Sequence, residues 1–172
     1  MSKSSRFLSF FLSLFLVLIA GIEPTLSAED VALSRARHQI EMLDDLYKTV
    51  IVLVTDRYVT DPSKYSGASA AKDLFATMKK NGWHDVRLIG LTDILNNPAV
   101  NAPKDDFEKT AKAKLSEGAP TYEELITIDG KRYLRKATPI PVVHERCAMC
   151  HVNFKDNQGI IGALSYTVPI VE

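Results

Sequence analysis

Residues 121–140 read Thr121-Tyr122-Glu123-Glu124-Leu125-Ile126-Thr127-Ile128-Asp129-Gly130-Lys131-Arg132-Tyr133-Leu134-Arg135-Lys136-Ala137-Thr138-Pro139-Ile140. Two runs rich in β-branched, aliphatic and aromatic residues flank Asp-Gly, a dipeptide suited to the positive φ angles of a two-residue hairpin turn. The stretch predicts strands over 121–128 and 131–140, paired antiparallel. Antiparallel pairing sets the class, because parallel strands would need a crossover of a dozen or more residues between them.

Upstream of the hairpin the periodicity changes. Leu33, Ala36, Ile40, Leu43, Leu46, Tyr47, Val50 and Val54 recur at three- and four-residue steps, which predicts one long amphipathic helix over 31–59, ended by Asp61-Pro62. A second helix is expected over 68–80, with Leu74, Phe75 and Met78 on one side and Asn81-Gly82 as its stop. Residues 83–91 alternate as a strand, with His84, Val86 and Leu88 on one face and Asp85 and Arg87 on the other. After a loop rich in Asn and Pro, Asp105 or Asp106 opens a short helix carrying Phe107, Ala111 and Leu115 as far as Gly118. An apolar strand over 160–168 follows Gly159. The order predicts an α+β domain: an antiparallel sheet, a long N-terminal helix, and helices gathered on one face.

Between the hairpin and the last strand lies Cys147-Ala148-Met149-Cys150-His151, which holds the only two cysteines of the 172-residue chain. Two cysteines three positions apart with a histidine directly after them form the attachment pattern of a c-type haem. Each thiol can add across a vinyl group to give a thioether, and a neutral imidazole next to the second sulfur can bind the iron. A disulfide closing so short a loop would remove little unfolded-chain entropy. A zinc site would need further ligands at close spacing. A thioredoxin-like pair would lie near a βαβ pattern rather than after a hairpin. Covalent attachment of one haem c through Cys147 and Cys150, with His151 as proximal ligand, is the expectation.

The start of the chain agrees with that chemistry. Lys3 and Arg6 precede an apolar run over 7–20 broken only by Ser9 and Ser13, and Leu26-Ser27-Ala28 offers a small residue for cleavage. Residues 1–28 are read as a signal peptide and 29–172 as one exported, periplasmic domain. The run is shorter than the roughly 20 apolar residues that span a bilayer, so no membrane association is expected after cleavage. Lysine plus arginine equals aspartate plus glutamate over the whole chain, at 21 each. Losing Lys3, Arg6 and Glu23 leaves the balance one charge from neutral, which argues against a nucleic-acid partner.

The flanks of the motif resemble a known family. Lys131-Arg132-Tyr133-Leu134-Arg135 leads through Pro139-Ile140-Pro141 to Glu145-Arg146-Cys147, and Gly159-Ile160-Ile161-Gly162-Ala163-Leu164-Ser165-Tyr166 follows. With Asn81-Gly82-Trp83 and Asp105-Asp106-Phe107-Glu108 upstream, the chain is similar to the PAS-like monohaem c domains. These occur as small exported cytochromes, one of them associated with cyanobacterial photosystem II, and as periplasmic sensor regions of chemoreceptors and histidine kinases. The resemblance implies a five-stranded sheet, which requires a further short strand within 92–104. In one branch of the family a cysteine in the N-terminal half is held to be the second axial ligand; this chain has no third cysteine, so that ligation is not carried over.

The second axial position decides the chemistry, since a saturated iron favours electron transfer and an open one admits a small ligand. His84, Met42 and Met78 are the candidates. Met149 lies inside the attachment loop, His144 on its near side and His38 near the start of the first helix. Arg146, Arg132 and Tyr133, with Arg135, are candidate haem or propionate contacts, because a guanidinium fork matches a carboxylate. Tyr122, Leu134, Ile140 and Leu164 are read as core or haem-wall residues. The leading function is one-electron transfer with a periplasmic redox partner. The alternatives are a redox or gas (NO, CO) sensor working with a separate signalling partner, and an enzyme needing an open iron with a distal acid–base group. A dimer through the long N-terminal helix is a further expectation.

Overall fold

The structure, a computed structural model, describes residues 28–60, 66–92, 95, 97–142, 147, 151–154 and 159–171. Eight helices and strands follow in chain order among these residues. They are α1 (Ala28–Arg57), α2 (Gly67–Lys80), β1 (Asp85–Ile89), α3 (Pro98–Asn101), α4 (Asp106–Ser116), β2 (Tyr122–Ile128), β3 (Lys131–Pro141) and β4 (Ile160–Pro169). The strands make one antiparallel sheet in the order β1-β4-β3-β2. The α+β class and the long N-terminal helix are as the sequence predicts. The signal-peptide reading concerns residues 1–28, of which 1–27 lie outside the described residues.

Asp129 and Gly130 turn the hairpin with φ of 48° and 75°, the pair of positive angles whose twist matches that of the flanking strands. Tyr122 pairs with Ala137, and Ile128 with Lys131. β2 therefore ends its pairing before Pro139, where β3 continues only against Ala163 of β4. A proline has no N–H to give a ladder, and Pro139 sits where β3 has become an edge toward the β2 side. The register then shifts at Ile140/Pro141, which ends the sheet and releases the chain into the motif segment. Val142 still donates its N–H to the Gly159 carbonyl at 3.1 Å, so the segment leaves and returns at one point.

Alternation gives the sheet two buried faces. On one, Val86, Leu134, Leu164, Tyr166 and Val168 pack against Ala32, Ala36, Ile40 and Tyr47 of α1 and Ala71 and Phe75 of α2. On the other, Ile89, Ala137 and Ala163 pack against Phe107, Ala111 and Leu115 of α4. The helices are thus divided between the faces rather than gathered on one. The reason lies in Arg87 and Arg135, which alternation sends to the second face, where α4 supplies their counter-charges. Glu108, which is 2% exposed in its side chain, binds Arg87, and Asp105 accepts from Arg135 at 2.8 Å. Arg135 also lies 4.1 Å above the Phe107 ring, a cation–π contact that covers its apolar plane. Asp105 caps α4 by accepting from the Glu108 N–H at 2.9 Å.

Leu134 and Leu164 are fully buried, as expected of core residues, whereas Tyr122 and Ile140 are half-buried. Leu46, read from the sequence as part of the inner stripe, is exposed with Val31, Met42 and Leu53 on the outward side of α1. The fifth strand expected within 92–104 is not found among the described residues. Residues 98–101 instead form α3, tied to the end of β1 by the Gly90 N–H bond to the Asn101 carbonyl at 2.8 Å.

Candidate functional site

The motif segment joins β3 to β4. His151 donates its backbone N–H to the Cys147 carbonyl at 3.0 Å, and Phe154 donates to the His151 carbonyl at 2.9 Å. Two linked turns, the second a 3-10 turn over Val152–Phe154, follow from these bonds. An i to i+4 bond puts Cys147 and His151 on one side of one turn. Both residues are half-buried, and Phe154, 7% exposed, sets its ring edge-on to the imidazole at 6.4 Å. Burial pushes the His151 pKa below the usual histidine value, which favours the neutral ring that can ligate a metal. A thiol and a neutral imidazole on one shielded turn are a donor set that fits a covalently held haem. Cys150 and Arg146 lie outside the described residues, as do His144 and Met149.

The candidates for the second axial position are placed elsewhere. His84 immediately precedes β1, whose first residue Asp85 pairs with Thr167 near the end of β4. The motif segment enters β4 at its other end, before Ile160. Seven residue steps of strand lead from Ile160 to Thr167, roughly 23 Å at the rise of an extended chain. His84 is 7% exposed, and its Nε2 is hydrogen-bonded to the Tyr47 hydroxyl at 2.7 Å. Burial lowers its pKa, with Asp85 opposing. Its Nδ1 has no partner among the described residues. Met78 lies at the end of α2, where its carbonyl accepts the Trp83 N–H, and Met42 is 59% exposed. Arg132 and Tyr133 begin β3, with Tyr133 opposite Pro169, at the end of the sheet remote from Pro141. The described residues thus set Cys147 and His151 on one turn and place His84, Arg132 and Tyr133 toward the other end of the sheet.

Sequence reasoning missed a polar network that the core encloses. Tyr166, fully buried, donates to Asp44 at 3.1 Å, and Thr138 donates to the same carboxylate oxygen at 2.5 Å. Lys48 holds the other oxygen at 2.6 Å. Tyr47 stacks on Tyr166 with centroids 6.5 Å apart and meets Phe75 edge-on at 5.0 Å. Burial, then the neighbouring Asp44, pushes the Tyr166 hydroxyl far above the usual phenol range. The available signal was the step from Asp44 to Tyr47, which places an acid and a phenol on one face of α1.

Three comparisons with known proteins bear on this arrangement. A family model described as Tll0287-like (Tll0287) matches residues 25–167. Among solved structures, the crystal structure of the cyanobacterial heme-protein Tll0287 is similar with a TM-score of 0.54 and 12% identity. That likeness covers 80% of this chain and 97% of the other, and it establishes a shared fold. Among curated proteins, none matches.

Proposed function

The chain belongs to the Tll0287-like family, and on that premise we propose that it is an exported monohaem c-type cytochrome that carries single electrons to and from a partner protein. The observation that carries the reading is the turn that sets a half-buried Cys147 thiol and the His151 imidazole on one side of the chain. When bound, a haem supplies an iron that accepts and releases one electron at a time.

This chain's own residues bind and shield it. Cys147 and Cys150 would hold a haem through thioethers, and His151 would give its iron a nitrogen from an unprotonated ring. Phe154, buried and edge-on to that ring, would help shield it. Arg146, adjacent to Cys147 in sequence, is the residue we assign to a propionate. The rigid β3–β4 pair anchors both ends of the motif segment. The near-neutral charge makes docking to the partner a matter of local patches rather than long-range steering. Export through residues 1–28 delivers the cysteines to the compartment where haem c is attached, and no helix of the described residues is long and apolar enough to cross a membrane.

A specific observation favours a second reading, a sensor of small gaseous ligands or of redox state. His84 is engaged by Tyr47 and Met42 faces outward, an arrangement that would suit a haem iron open to NO or CO. Visible spectra of the oxidised and reduced protein, with and without CO or NO, separate the two. A low-spin iron indifferent to CO supports electron transfer, and single substitutions of Met42, Met78 and His84 then identify the ligand by loss of that spectrum. A high-spin iron that binds CO readily overturns the electron-carrier reading in favour of the sensor.

A further inference from the structure

On the outer side of β1, a cleft of about 180 Å³ opens between α2 and α3. It exists because β1 ends the sheet and the chain after it returns as a short helix rather than as a fifth strand. Arg87 fixes that return by donating to the Val100 carbonyl at 2.9 Å and the Ala102 carbonyl at 3.4 Å. Phe75 from α2, Leu88 from β1 and Val100 from α3 give the cleft an apolar wall.

Three cations, Lys72, Lys79 and Arg87, and one carboxylate, Asp85, line the same space. Lys79 is bound to Asp85 and Arg87 to Glu108. Lys72 is half-buried and has no partner among the described residues. Burial lowers its pKa, as expected for an ammonium held against apolar surface. An anion placed beside it would offset that cost.

We propose that this cleft binds a small monocarboxylate, its carboxylate on Lys72 and its short aliphatic tail against Phe75, Leu88 and Val100. The cleft has room for several water-sized groups, enough for a short-chain carboxylate. An inorganic anion would satisfy Lys72 but leave the apolar wall uncovered, and a neutral alcohol would do the reverse. The cleft shares no lining residue with the Cys147–His151 turn.

Equilibrium dialysis of the mature holoprotein against labelled butyrate tests the proposal, with butanol and inorganic phosphate as competitors. We expect saturable one-to-one binding at about millimolar concentration or below, with each competitor at least about tenfold weaker. Lys72→Met should weaken butyrate at least about tenfold without changing the melting temperature of the protein. Val100→Glu, which sets a carboxylate into the cleft from an exposed position, should abolish binding. Lack of saturable binding in the wild type, unchanged binding in Lys72→Met, or phosphate binding as tightly as butyrate would each overturn the proposal.

Discussion

The His151 N–H bond to the Cys147 carbonyl, 3.0 Å long, makes one turn of backbone the frame on which both a sulfur and an imidazole are presented. The turn's own backbone bonds are local, and among the described residues the Val142 N–H bond to the Gly159 carbonyl closes the segment against the strands. Substitutions in the core and substitutions in the turn should therefore separate cleanly, the first changing stability and the second changing haem attachment. His151→Ala should leave covalent haem in place but abolish the low-spin spectrum of the wild type. Cys147→Ser should reduce the yield of covalent haem several-fold while circular dichroism reports the same secondary structure.

Tyr47→Phe tests the buried bond to His84. It leaves both nitrogens of a ring that is 7% exposed without a partner among the described residues, at a cost of about 1–3 kcal/mol. Thermal unfolding should shift down by several degrees, with the visible spectrum unchanged. An altered spectrum would instead place His84 at the iron.

The pH dependence has a definite sign. Burial lowers the His84 pKa in the folded protein, so the unfolded chain binds the extra proton first as pH falls. The stabilising contribution is complete above the unfolded value of about 6.5 and is lost as pH falls below it. His84→Gln should flatten the acid side of the stability profile in urea titrations. Tyr166 acts at the other end. Its raised hydroxyl pKa keeps its contribution intact below about pH 10 and removes it above, as the unfolded phenol ionises.

Glu108→Ala should be among the most damaging changes outside the aliphatic core. Its carboxylate is buried against Arg87 and accepts the Lys104 N–H at 2.8 Å. Removing it leaves Arg87 uncompensated on a covered face and costs about 3 kcal/mol, measurable by chemical denaturation. Gly162→Ala should be comparably disruptive for a different reason, since an added Cβ would stand 2.9 Å from the Ile89 carbonyl oxygen where β4 passes β1.

The hairpin, the alternating strands and the long helix were legible because each depends on neighbours in sequence: Asp129-Gly130 for the turn, the period of two in β3, and the spacing of Ala36, Ile40 and Tyr47. What was not legible depends on tertiary partners. Arg87 read only as pointing away from Val86 and Leu88, and Arg135 as a candidate propionate contact; the packing of α4 shows both paired with its acids. His84 read correctly as facing the core, but Tyr47, which engages it, lies 37 residues away. At the candidate site, the five residues from Cys147 to His151 carry their chemistry in the spacing itself. The second axial ligand does not, because a residue that approaches the iron from another element leaves no fixed interval in the sequence.

The most direct test of the account is the intact mass of the purified exported protein after full denaturation. Covalent attachment predicts the mature polypeptide plus one haem as a single species, converted to polypeptide alone when Cys147 and Cys150 are both replaced by serine. Release of the haem on denaturation of the wild-type protein, leaving the mass of the bare chain, would contradict it.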